Sequence, residues 1–191
     1  MKNYSTIFTD ISNLRTKIVD PLKKQFLENI KAQKSIVFNR NTNRVSLLDQ
    51  VPKKICGVYY FELRFFETWP LNTGSEFAEY WKKSLAEGNS SKVNLKNIPN
   101  KIEKQHWYPL YVGKREDLNS RITEHLNKPS NLNTYALRLS HRGKLLEDAE
   151  IRFFFQEVCE FNAVYQREIQ YVLTSLESEI RKDRNPWIGK Q

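Results

Sequence analysis

The stretch ICGVYYFELRF, residues 55–65, decides how the chain folds. It is rich in aromatic and β-branched residues, apolar on both faces at its start and alternating later, which is typical of a central strand in a sheet. The stretch WYPLYVG, residues 107–113, has a similar character, and its proline favours an edge position or the start of a strand. The sequence therefore predicts two strands that each bring a tyrosine to one surface.

The first fifty residues are predicted to form an N-terminal helical arm, residues 1–50. Apolar residues between positions 4 and 34 recur every three or four residues, which is the period of an amphipathic helix. Asp20 precedes Pro21, a pair that favours the start of a second helix with the aspartate as its cap. The basic residues of these helices face either solvent or a nucleic-acid backbone.

The remaining elements follow from the same periodicities. Helices are predicted at residues 75–85 with Ser75 as the cap, around Arg121 and His125 with Asp117 or Asn119 as the cap, and at about 162–183. Further strands are predicted at residues 151–156 and at 134–139, although the second of these equally suits the start of a helix.

Composition limits the functional classes. The formal net charge of +9 favours an anionic partner such as nucleic acid, although a merely basic protein would share it. Cys56 and Cys159 form neither a disulfide framework nor a zinc-ligand pattern and are predicted to be packed thiols in a reducing compartment. No segment approaches 18 apolar residues and the N-terminus lacks a signal-peptide pattern, so we predict a cytoplasmic protein with no membrane partner.

Three ionisable residues follow the second strand at spacings that suit phosphodiester chemistry. Arg121 lies ten residues after Tyr111, and His125 lies one helical turn further on the same face. A guanidinium can grip a phosphate, and the carboxylate of Glu177 in the last predicted helix can bind a hard cation. Each residue also has an ordinary interpretation: the strand tyrosines could only pack, Arg121 could pair with a surface carboxylate, and His125 could be structural.

Taken together, these spacings resemble the GIY-YIG nuclease family over roughly residues 55–191. The matching positions are Gly57-Val58-Tyr59 for the first motif, Tyr111-Val112-Gly113 followed by Lys114 for the second, Arg121 and His125 beyond it, and Glu177, Ile180 and Pro186 for the third. The family's asparagine position is Gly189 here, and Asn185, Lys190 and Gln191 are the alternatives for that role.

The resemblance implies an α+β fold for residues 51–191. Its expected features are a small antiparallel sheet of about three strands, flanked by helices, with the two motif tyrosines close in space. Because Tyr59 and Tyr111 are 52 residues apart in this chain, residues 66–106 are expected to be an insertion between the two motif strands.

The resemblance also implies a metal-dependent endonuclease that hydrolyses phosphodiester bonds in DNA, of a restriction, defence or mobile-element type. Tyr59 would be the general base, Tyr111 would orient water or a phosphate oxygen, and Glu177 would bind Mg²⁺ or Mn²⁺. His125 would relay a proton or hydrogen-bond a tyrosine. Lys114, together with the metal, would lower the pKa of Tyr59.

The expected nucleic-acid contacts are Arg121, Lys114 and Lys190. RNA is an alternative substrate, and a homodimer is one way to cut both strands. Two other interpretations stay open. One is a catalytically inactive nucleic-acid-binding module on the same scaffold, and the other is an interaction protein in which the motif residues lie far apart.

Overall fold

One antiparallel sheet lies at the centre of the computed structural model, which describes residues 4–84, 93–127 and 136–189. Its strands are β1 (Ile36–Phe38), β2 (Ile55–Phe65), β3 (Trp107–Arg115) and β4 (Ala149–Glu160), in the spatial order β1-β4-β2-β3. The described helices are α1 (Tyr4–Leu14), α2 (Asp20–Lys31), α3 (Arg44–Leu48), α4 (Gly74–Lys83), α5 (Leu118–Asn127), α6 (Leu145–Asp148) and α7 (Gln166–Arg184). The predicted α+β class is confirmed, but the sheet has four strands rather than about three.

The central position predicted for β2 and the edge position predicted for β3 are both confirmed. Tyr59 of β2 lies directly opposite Gly113 of β3. The register shifts between Phe61 and Glu62, where the opposing strand contains Pro109, a residue without a backbone donor. The sheet therefore aligns the two motif strands so that the first tyrosine faces the second glycine.

The additional strand comes from the segment that was expected to be a helical arm. β1 pairs with β4, with Ile36 opposite Phe153. Helix α2 also packs on the sheet, because its buried Phe26 and Ile30 share a core cluster with Val58 of β2. Residues before position 51 thus contribute both a strand and a packed helix to the main body.

Two core clusters cover the two faces of the sheet. On one face, α2 and α7 pack against a cluster that includes Tyr60 and Val112. The other face holds Tyr59 and Phe61 in a larger cluster. The expected insertion at 66–106 belongs to this larger cluster, where it contributes Trp69, Phe77, Trp81, Ile98 and Ile102. The insertion is therefore part of the same core as the motif strands.

Several local predictions need correction. Asp20 does not cap a helix, because a π-helical segment (Arg15–Val19) connects α1 to α2 in a helical conformation. Thr73, not Ser75, caps α4, and it forms a capping box with Glu76.

The described part of the predicted strand at 134–139 is also not a strand. Residues 136–138 have no regular structure, and a short 3-10 helix starts at Leu139. Within the described ranges, no helix is long and apolar enough to cross a membrane.

Candidate active site

Tyr59 is fully buried against the second motif. A Cβ atom at position 113 would lie 2.3 Å from the Tyr59 Oη and 2.7 Å from the Tyr111 ring. Only glycine leaves this space, since real Cβ atoms essentially never approach so closely. The glycine of the second motif therefore allows the tyrosine of the first motif to lie across β3.

Three rings gather around this position. The Tyr59 and Tyr111 rings are inclined to each other by 28°, with centroids 6.1 Å apart. The His125 ring lies 5.3 Å from the first and 5.1 Å from the second. Helix α5 carries this histidine. The helix holds it next to the two tyrosine rings, because Ile122 and Leu126 on the same helix are buried against the sheet.

The hydrogen bonds around Tyr59 define its protonation pattern. The His125 Nδ1 accepts the backbone N–H of Leu137 at 2.9 Å, so the proton of the neutral ring lies on Nε2. Nε2 is 2.8 Å from the Tyr59 Oη and donates to it. The Arg121 Nε donates to the same oxygen at 3.3 Å. The phenol oxygen thus accepts two hydrogen bonds, and its own proton is left for a third group.

Burial sets the charge states of these residues. It lowers the pKa of His125 well below its usual range, and the positive charges of Arg121 and Arg115 lower it further. Burial and the neighbouring Tyr111 raise the pKa of Tyr59 well above its usual range, although Arg121 opposes this shift. At neutral pH the site therefore contains a neutral imidazole and a protonated phenol.

Arg121 has a second partner one turn along α5. Its guanidinium forms an ion pair with Glu124, in addition to its bond with Tyr59. The ordinary interpretation of Arg121, a pairing with a nearby carboxylate, is thus found together with a contact between Arg121 and Tyr59. Glu124 was not singled out from the sequence, although its three-residue spacing from Arg121 was a usable signal.

Glu177 approaches the same region from α7. Its Oε1 is 3.1 Å from the Arg181 guanidinium, which also donates to the Val112 carbonyl at 2.7 Å and lies 5.7 Å from the centre of the Tyr111 ring. Glu177 is close enough to Tyr59 to raise the pKa of the phenol. Sequence reasoning missed Arg181, although its spacing of four residues from Glu177 places both on one helix face.

The donor set fits only a weak metal site. Glu177 is a single carboxylate, and Arg181 already occupies one of its oxygens. Among the residues that the structure describes, no three His, Cys, Asp or Glu side chains form a cluster that could hold a metal ion. Mg²⁺ is often held by one carboxylate together with substrate phosphate and water, and Glu177 fits that arrangement.

Lys114 does not supply the positive charge expected at Tyr59. Successive side chains of a strand point to opposite faces, so Gly113 faces the phenol and Lys114 faces α7, where its ammonium donates to Gln170. Arg121 takes the expected place beside Tyr59. Lys114 instead helps to line a cleft of about 640 Å³. The other lining residues are Lys54, Arg115, Glu116, Asp117, Ser120, Phe161 and Gln170.

The segment after α7 covers part of the β3 edge. The backbone N–H of Trp187 donates to the Pro109 carbonyl, and that of Ile188 donates to the Leu110 carbonyl. Asn185, one alternative for the family's asparagine, ends α7 in a left-handed conformation. Lys190 and Gln191, the other two alternatives, lie outside the described residues, so the nucleic-acid contact predicted for Lys190 lies outside them too.

The structure thus brings Tyr59, Tyr111, Arg121 and His125 into one contact network, with Glu177 close to it. The scatter expected for an accidental motif match is not found. Comparisons with protein-family models, curated proteins and solved structures gave no match.

Proposed function

We propose that the chain is a metal-dependent endonuclease with a GIY-YIG-like active site that hydrolyses phosphodiester bonds in DNA. The observation that carries the proposal is the hydrogen-bonded centre at the Tyr59 Oη, which receives donors from His125 and Arg121. Buried, pre-organised donors around one reactive oxygen are typical of catalytic sites. The net charge of +9 supports an anionic polymer as the substrate. The neighbouring cleft contributes Lys54, Lys114 and Arg115 to that charge, alongside two carboxylates, Glu116 and Asp117.

In this proposal Tyr59 is the general base that removes a proton from the attacking water. The donors on its oxygen stabilise a phenolate, so they favour loss of the tyrosine proton to solvent, and the phenolate then takes a proton from the attacking water. Arg121 is already oriented by Glu124 and offers its remaining N–H groups to a non-bridging phosphate oxygen. His125 holds the Tyr59 phenol in position, and the neighbouring Tyr111 ring limits access to the phenol from one side. A Mg²⁺ or Mn²⁺ ion bound by Glu177 and substrate phosphate would neutralise charge on the non-bridging oxygens.

A specific observation favours a second candidate, a catalytically inactive nucleic-acid-binding module. Tyr59 is fully buried and its pKa is raised, both of which oppose action as a base. The Glu177 carboxylate is also engaged by Arg181. Such a protein would bind nucleic acid through its excess of basic residues without performing chemistry at the tyrosines.

The test is incubation of the purified protein with supercoiled plasmid in Mg²⁺, in Mn²⁺ and in EDTA, with a labelled RNA duplex in parallel. We expect metal-dependent nicking or linearisation that is lost in Glu177→Ala and Arg121→Ala. Glu168→Ala removes an exposed carboxylate from the same helix and should cut normally. A plasmid that stays intact but is retarded in a gel would establish the binding module, and cutting of RNA alone would change the substrate.

Cutting both strands with one site per chain requires a homodimer or two successive nicks. A time course distinguishes these, because a dimer yields linear plasmid without accumulating the nicked form. The proposed DNA substrate and the two unpaired cysteines are in keeping with a cytoplasmic protein.

A further inference from the structure

The two cysteines of the chain lie directly opposite each other on neighbouring strands. Cys56 near the start of β2 pairs in register with Cys159 near the end of β4, next to a bulge between Cys56 and Gly57. Both side chains lie on the same face of the sheet, because Cys56 belongs to the core cluster that includes Val58 and Cys159 packs against that cluster. Both are free thiols.

The register brings the two residues within the range of a covalent bond. Opposing residues of an antiparallel pair have Cα atoms about 4.5–5.5 Å apart, and disulfides bridge Cα atoms about 4.4–6.8 Å apart. We propose that Cys56 and Cys159 form a reversible cross-strand disulfide by exchange with a low-molecular-weight disulfide. The proposal is independent of the nuclease function, since it concerns a modification site on the opposite face from Tyr59.

Accessibility indicates the order of the two steps. Cys56 is 0% exposed, whereas Cys159 is partly exposed and lines an apolar groove with Leu14, Ile18 and Val172. The Cys159 thiolate attacks one sulfur of the reagent disulfide, which breaks that bond and releases one thiolate. The Cys56 thiolate then attacks the Cys159 Sγ of the mixed disulfide and releases the second thiolate. The protein loses two protons and two electrons, and the reagent becomes two thiols.

The second step is expected to be the slower one. Burial and the neighbouring Cys159 thiol raise the pKa of Cys56 to about 12. Since the thiolate is the nucleophile, ring closure should become faster as the pH rises. At neutral pH the mixed disulfide on Cys159 should therefore accumulate first and disappear as the internal bond forms.

The experiment treats the reduced full-length protein with oxidised glutathione at pH 8 and follows intact mass and a non-reducing peptide map. We expect a final product that has lost two hydrogen atoms, carries no glutathione and contains a peptide linking Cys56 to Cys159. Dithiothreitol should restore the starting mass. A final product that retains glutathione, or one that forms disulfide-linked dimers, would overturn the proposal.

Two variants test the order of the steps. The Cys56→Ser variant should stop at one glutathione on Cys159. The Cys159→Ser variant should remain almost unmodified while folded, because its remaining thiol, that of Cys56, is buried. Modification of Cys159→Ser at the wild-type rate would refute the assigned order. If a serine variant does not fold, the wild-type mass and peptide map still decide whether the internal bond forms. The urea midpoint should rise on oxidation and fall back on reduction, because the bond closes a long loop.

Discussion

Replacing Gly113 with alanine tests the contact on which the proposed active site depends. The substitution adds one methyl group to β3, directly opposite Tyr59. That methyl carbon would lie 2.3 Å from the phenol oxygen and 2.5 Å from the ring carbon that bears it. Restoring ordinary contact requires a displacement of about 1 Å or more. The crowded atoms belong to a ring that is enclosed on all sides, so the ring cannot simply rotate away.

The cost can be worked from the contacts that the displacement breaks. Overpacking a core with one carbon costs about 1–3 kcal/mol. A shift of about 1 Å would lengthen the 2.8 Å bond to His125 and the 3.3 Å bond to Arg121 beyond hydrogen-bond distance. Each lost bond costs about 0.5–1.5 kcal/mol, and the reduced entropy of the unfolded alanine chain returns about 0.4–1 kcal/mol. We therefore expect a destabilisation of about 1–6 kcal/mol.

Urea unfolding gives the stability, and the plasmid assay gives the activity. With a denaturant slope of about 2 kcal/mol per molar, the urea midpoint should fall by about 0.5–3 M. Cleavage by the fraction that remains folded should fall by about 100-fold, as for other displacements of about 1 Å in active sites.

Gly143→Ala is the matched control. Unlike Gly113, Gly143 has a positive φ, and its added Cβ would approach only the Tyr80 Oη, at 3.4 Å. We expect a loss of about 1–2 kcal/mol from backbone strain and normal cleavage. A stability of Gly113→Ala within about 0.5 kcal/mol of wild type would refute the reasoning.

Three further outcomes are expected. Because His125 is buried and neutral, the unfolded chain binds one more proton than the folded chain below about pH 6.5. The free energy of unfolding should therefore decrease by about 1.4 kcal/mol for each unit by which the pH is lowered in that range. Urea titrations of His125→Gln should lack this dependence. Arg121→Lys should fold normally in circular dichroism but cut plasmid at least about 10-fold more slowly, since one ammonium cannot bind Tyr59 and a phosphate with the same geometry. Thr73→Ala should lose about 0.5–2 kcal/mol in thermal unfolding through the lost helix cap, with cleavage unchanged.

The strands were predictable where the sequence pattern was long. β2 and β3 have nine or more residues each, so their aromatic and β-branched character was visible, and Pro109 indicated the edge. β1 has only three residues, too few for an alternating pattern, and it forms because β4 offers a partner. The cap of α4 was misplaced by two residues because threonine and serine are both good caps, and the decisive partner, Glu76, lies three residues after Thr73.

The site was predictable as a set of residues but not as a set of contacts. The spacing of Arg121 and His125 on one helix face predicted that both would point the same way, and both reach Tyr59. The spacing did not show that the alternation of β3 would turn Lys114 away toward Gln170. The Leu137 backbone contact that fixes the His125 tautomer was also beyond prediction, because its residue lies in an irregular segment.

The protonation pattern limits the role that Tyr59 can play. In the described arrangement both oxygen lone pairs accept hydrogen bonds, so the phenol can only donate until its proton has left. Action as a base therefore requires deprotonation first, and the cleavage rate should rise tenfold per pH unit below the pKa of the phenol. If the phenol acts as a hydrogen-bond donor instead, the cleavage rate should fall as the pH rises, once the phenol ionises. Because burial raises the pKa of Tyr59 and Arg121 opposes that shift, the pH profile of cleavage measures directly which influence prevails in the substrate complex.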